Sequence, residues 1–181
     1  DANETTCFHA AYSLAAIGKP AVPELIARLS HDGEDVRRNA GYSLVTIGQA
    51  AVPALQEAAG TEKPARARAA AVDALSNMGL AAAPAVTTLR TALRDVDGNT
   101  RKAAAYGLGN VGDAAAAAIP SLIDALDDSD DWVVRNALLA MAKLGPRAAE
   151  VVPSLSPCLR HENRYVRGKA ALVLRRVGTT E

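Results

Sequence analysis

The chain has 181 residues, with twenty basic and twenty acidic side chains and a formal net charge of +0. That balance offers no basic stripe for a nucleic-acid backbone, and no stretch is apolar and long enough to span a bilayer or shaped like a leader or lipid-attachment signal. Hydrophobic residues make up 49% of the chain but aromatic ones only 3%, so its core is built from small side chains. Alanine is foremost among them; it has the highest helix propensity and lets helices approach closely.

In chain order, the first element is a block ending at Gly18, and it recurs at Gly48, Gly79, Gly112, Gly145 and Gly178, spaced 30, 31, 33, 33 and 33 residues apart. A period of that size predicts stacked helical hairpins. Counting back from each glycine, alanine stands eight residues before it: Ala10, Ala40, Ala71, Ala104, Ala137 and Ala170. Leu14, Leu44, Leu75, Leu108, Met141 and Leu174 stand four before it, and Ile17, Ile47, Met78, Val111, Leu144 and Val177 one before it. These steps place the side chains on one helical stripe. Each block is therefore an amphipathic helix, here termed A, and its glycine suits a left-handed C-terminal cap.

A proline follows each of the first five glycines (Pro23, Pro53, Pro84, Pro120, Pro153), with Leu25, Leu55, Val86, Leu122 or Leu155 two residues later. Proline is tolerated in a first helical turn, so Val22–Leu29, Val52–Ala59, Ala83–Leu93, Ile119–Leu126 and Val152–Leu159 are expected to form a second helix, B. Two A–B turns are expected to be three residues longer, through Asp113–Ala118 and Pro146–Glu150. Pro157 falls past the first turn of the fifth B helix and predicts a late start or a bend there.

Polar loops rich in Asp and Asn separate B from the next A and supply N-caps. Arginine opens many A helices. Arg37, Arg68, Arg101, Arg135 and Arg167, with Asp35, Asp97 and Asp131, are expected to form a bonding ladder between repeats. The repeats fall at about 1–32, 33–62, 63–96, 97–129 and 130–162, with a half repeat over 163–181. The chain starts in loop phase without methionine and ends one helix into a sixth repeat, as expected of a segment of a longer protein or a processed product.

The run Val36-Arg-Arg-Asn-Ala40, Leu44, Ile47-Gly48, Ala51-Val-Pro53 and Leu55 resembles the HEAT repeat, in the short variety called phycobilisome-lyase HEAT-like. The resemblance spans essentially the whole chain. It implies an all-α fold, a right-handed α-solenoid of about five and a half hairpins, with A helices outside and B helices lining the inner face. It is far less specific for function, since the family includes scaffolds, lyases and hydroxylases.

Signals for chemistry are weak. HEAT-built deoxyhypusine hydroxylase binds iron through His-Glu pairs, but His161-Glu162 is the only such dipeptide here and stands in a loop. Cys7 and Cys158 lie four to five repeats apart, too far for a disulfide or a shared zinc, which fits a reducing compartment. Ser154, Ser156, Cys158, His161 and Glu162 read as a polar helix end rather than a nucleophilic site. Gly107-Leu-Gly109 lies inside a helix and is no phosphate loop. HEAT-like DNA glycosylases use a basic groove, whereas Trp132 stands beside Asp130 and Asp131 and is expected to cover a junction between repeats. A bilin pocket would need more aromatic residues than Phe8 and Trp132 at opposite ends.

The expected function is a non-catalytic protein-interaction scaffold without cofactor or metal. Its partner is another protein or a domain of the parent chain, neither nucleic acid nor membrane. The alternative is a regulatory or substrate-positioning domain attached to an enzyme. Candidate contact residues on the B ridge are Glu24, Arg28, Arg90, Arg94, Asp124, Asp127 and Arg160. Tyr12, Tyr42 and Tyr106 share one phase, six residues before the glycine, on the outward side of the A helices; they are either interface anchors or rings packed across neighbours. Tyr165 stands at another phase.

Overall fold

The structure is a computed structural model that describes residues 13 and 16–178. In order, the helices are α1 (Val22–Arg28), α2 (Glu34–Ile47), α3 (Val52–Ala58), α4 (Ala65–Asn77), α5 (Val86–Ala92), α6 (Gly98–Leu108), α7 (Ile119–Asp124), α8 (Asp131–Leu144), α9 (Leu155–Leu159) and α10 (Arg164–Val177). Even-numbered helices are the A helices and odd-numbered ones the B helices. No strand occurs among the described residues. The fold is an all-α solenoid of helical hairpins in two layers, and its most extensive contacts run between successive A helices.

The stripe inferred from the periodicity forms the core. Ala71, Ala104, Ala137 and Ala170 are fully covered, as are Leu44, Leu75 and Met141. Leu174 holds the equivalent position in α10 but is 37% exposed, because no B helix packs over it among the described residues. Asp97, Asp130 and Asn163 cap α6, α8 and α10 by accepting the backbone N–H of Thr100, Trp132 and Tyr165.

The A–B turns differ from expectation in two respects. The turn of the third repeat is also long: the 3-10 segment Gly79–Ala85 matches Gly112–Ala118 in length, against four residues in Gly48–Ala51. The core residue of α5 is consequently Leu89, fully buried, while Val86 is only half-buried. Pro84 misleads because it sits inside the 3-10 turn instead of opening the helix. The glycine cap also departs from left-handed helical geometry. Gly48 has φ 74° and ψ −143°, and Gly145 has φ 58° and ψ −132°. That region is open to glycine almost alone. Helix α9 starts late and has five residues, with Pro157 at its third position, as expected.

Small residues set how close the A helices come. A Cβ added to Gly107 in α6 would lie 2.9 Å from the Ser76 Cα of α4 and 2.5 Å from its Oγ. The Ser76 hydroxyl fills the seam, 2.7 Å from the Val72 carbonyl and 2.6 Å from the Ala103 carbonyl across it. Gly107→Ala is therefore expected to destabilise the protein by about 1–3 kcal/mol through overpacking. Gly41→Ala in α2, where nothing lies within 4 Å of an added Cβ, should stabilise by about 0.5–1 kcal/mol. Urea unfolding of the two variants checks both signs.

Candidate partner-binding groove

Side chains on the A-helix side of the stack enclose a groove of about 800 Å³, lined by residues of α2, α4, α6 and α8. The B ridge, the expected contact surface, carries a smaller hollow of about 480 Å³, lined by Arg90, Arg94 and Asp95 among others. A helices run 11 to 14 residues and pack along their length, while B helices run only 5 to 7.

Tyr42, 56% exposed, and Tyr106, 44% exposed, line the groove with Trp132 at its far end. Tyr12 lies outside the described residues, as does Cys7. Asp73 holds the tyrosine position in the intervening helix α4 and opens to solvent in the groove. The neighbouring helix faces still remove enough water that burial raises its carboxyl above the usual range, against the Asn77 hydrogen bond and the Lys102 charge.

The B-ridge candidates largely satisfy one another. Glu24 and Arg28 pair at 2.6 Å, and Arg94 reaches Asp124 of the next repeat at 2.9 Å. Arg160 donates to the Ser156 hydroxyl at 2.8 Å. Arg90 and Asp127 are exposed, and the structure does not bring them together.

Arginine–aspartate bonds do join repeats, though through other aspartates than expected. Arg68 donates through Nε and Nη2 to Asp95 at 2.8 and 3.0 Å, and Arg101 likewise to Asp128 at 2.7 and 3.0 Å. The same guanidiniums donate backwards, Arg68 to the Lys63 carbonyl and Arg101 to those of Asp95 and Val96. Each thus ties two consecutive loops together. Arg37 and Arg167 make only the backward bonds, to His31 and Asp32 and to His161 and Glu162.

Asp35, Asp97 and Asp131 are not the ladder's acceptors. Asp35 pairs with Arg38 in its own helix, and Asp97 caps α6. Asp131 accepts from Asn163 Nδ2 at 2.6 Å and faces His161 Nε2 at 3.5 Å. The arginine reaches the first loop residue, two positions ahead of the capping one. Arg135 stands one residue out of register, where the ladder position is the buried Val134. Its guanidinium lies 4.1 Å from the Trp132 ring centre and 5.0 Å from that of Tyr165 in the next repeat. Trp132 and Tyr165 both stand thirteen residues before their glycine, a shared phase that could have revealed the stack. Tyr165 therefore belongs to a set after all, though not to that of Tyr42 and Tyr106.

Among the described residues no three His, Cys, Asp or Glu side chains are placed to hold a metal, and no helix is long and apolar enough to cross a membrane. Burial raises the Cys158 thiol, with the Asp127 charge adding to it.

The family model for HEAT repeats matches residues 1–76, 74–143 and 119–181. The chain belongs to the HEAT-repeat family. A chain of the CpcE–CpcF complex of phycocyanin lyase from Nostoc sp. PCC7120 is similar in fold, with TM-score 0.73 and 24% identity over 86% of this chain and 98% of that one. A computationally designed armadillo repeat protein for modular peptide recognition gives TM-score 0.66 and 19% identity over 93% and 90%. The archaeal HEAT-like repeats protein from Thermococcus onnurineus NA1 gives 0.61 and 16% over 94% and 75%. No curated protein sequence matches the chain.

The HEAT ladder makes stability pH-dependent. The Arg68 hydrogen bonds hold the Asp95 carboxyl below its ordinary value, outweighing burial, with the Asp97 N–H assisting. At Asp128 burial pushes upward, but Arg101 and the Asp130 N–H leave the net shift downward. A depressed carboxyl stabilises fully above its unfolded pKa near 4 and loses that contribution as pH falls through the lower folded value. Asp95→Asn should therefore cost roughly 2–4 kcal/mol at neutral pH, since it leaves Arg68 half-buried without its partner. The gap from the parent should narrow steadily below about pH 4, as measured by denaturant unfolding across pH.

Proposed function

We infer that the chain is a non-catalytic protein-interaction module whose working surface is the A-helix groove. The carrying observation is the set of exposed rings, Tyr42, Tyr106 and Trp132, along one cavity formed by four successive A helices. Aromatic side chains that stay half in water while lining a preformed cleft suit interface anchors, because their few rotatable bonds limit the entropy lost on binding. The walls belong to long helices with a buried alanine and leucine core, so the groove needs little reorganisation to accept an extended segment. The B ridge is the weaker candidate, since Glu24, Arg28, Arg94 and Asp124 already meet one another's charge. The same groove would serve a second reading, in which the module positions or regulates a catalytic partner; the likeness in fold to the phycocyanin lyase complex is compatible with that arrangement.

Peptides selected from a random display library against the intact chain test this surface. Tyr42→Ala with Tyr106→Ala should weaken the selected peptides by at least about tenfold, or 1.4 kcal/mol. Arg94→Ala with Arg90→Ala on the ridge should leave them within about twofold. The opposite pattern would contradict the groove as the contact surface.

A further inference from the structure

Past Trp132 the A face changes character. On α10 a depression of about 530 Å³ is lined by Arg164, Tyr165, Lys169, Leu172 and Arg175 with small residues, and no carboxylate of the described residues lines it. Arg164 lies 4.8 Å from the Tyr165 ring centre and donates to its hydroxyl at 2.9 Å. Next to it stands Arg135, between Trp132 and Tyr165. The Arg135 Nε is buried without a hydrogen-bond partner, and among the described residues no carboxylate forms an ion pair with the guanidinium. A guanidinium shielded by two rings and lacking a counter-ion is costly to maintain, and its stacked, fixed position suits it to receive a carboxylate. The acids nearest in sequence are already committed, Asp130 to the helix cap and Asp131 to Asn163 and His161.

We propose that the α8–α10 end of the A face binds an acidic extended segment of a partner protein, with Arg135 taking a glutamate or aspartate side chain and Lys169 and Arg175 neighbouring acids. The inference rests on the A face being the contact surface and adds the chemistry of what it contacts. A nucleic-acid strand suits the surface less well. Its continuous phosphates would meet Asp130 and Asp131 beside Trp132, whereas separate carboxylates can avoid them.

Trp132 is the only tryptophan of the chain and is 55% exposed, so its fluorescence reports on this site directly. The probes are an extended peptide alternating glutamate with serine, the same peptide with glutamine for glutamate, and an oligothymidine of similar length. The glutamate peptide should perturb Trp132 emission, bind at least about tenfold more tightly than the glutamine peptide, and weaken as salt rises from about 50 to 300 mM. Arg135→Gln should lose that preference. Lys169→Gln with Arg175→Gln, on the surface of α10, should reduce it even if Arg135→Gln disturbs the stack. Equal binding of both peptides, no binding of either, or tighter binding of oligothymidine would overturn the proposal. Display-selected peptides that need Tyr42 and Tyr106 but show no preference for acids would overturn this inference alone and leave the interaction module standing.

Discussion

Everything in this molecule depends on how closely one A helix can approach the next. Between α4 and α6 the Ser76 and Gly107 backbones come near enough to exclude a methyl group, and between α6 and α8 a Cβ on Gly109 would lie 3.3 Å from the Ala140 Cα. Few large side chains contribute, so cohesion comes from many small contacts repeated along the stack. The seam has little spare volume, and even one added methyl group there is felt.

That seam and the loop bonds both join each repeat to the next. Alanine packing holds the A helices side by side, while Arg68 and Arg101 fasten consecutive loops at one edge. Where the ladder lapses at Val134, the loop turn is preserved by an imidazole: His161 Nδ1 accepts the Asn163 N–H, as Asp128 Oδ1 accepts that of Asp130. The cationic group appears instead one residue on, at Arg135, stacked between Trp132 and Tyr165. One step of register thus turns a loop-bonding arginine into a half-buried, aromatic-flanked one.

Much of the architecture was legible in the sequence because it follows from periodicity. The alanine, leucine and glycine positions and the A-helix phase each predict a burial or a turn that depends only on local spacing. What escaped depends on three-dimensional neighbours. Pro84 keeps its distance from Gly79 while the turn around it lengthens, so the proline marked the wrong core residue. Asp95 and Asp97 are chemically alike, and only geometry decides which caps a helix and which meets Arg68. The side of the stack that carries the groove is a property of packing, and neither helix pattern states it. The Trp132–Arg135–Tyr165 stack is signalled by a phase that Trp132 and Tyr165 share, but the two rings belong to different residue types, which hides the recurrence.

The proposed contact surface is the ring-lined groove on the long-helix side of the stack. Hydroxyl-radical footprinting of the chain with and without a display-selected peptide tests it most directly. Protection of Tyr42, Tyr106, Trp132 and Tyr165, with Val152 and Leu159 on the B side unchanged, is the predicted result. All six side chains are exposed in the free chain. Protection of Val152 and Leu159 with the four rings left reactive would contradict it.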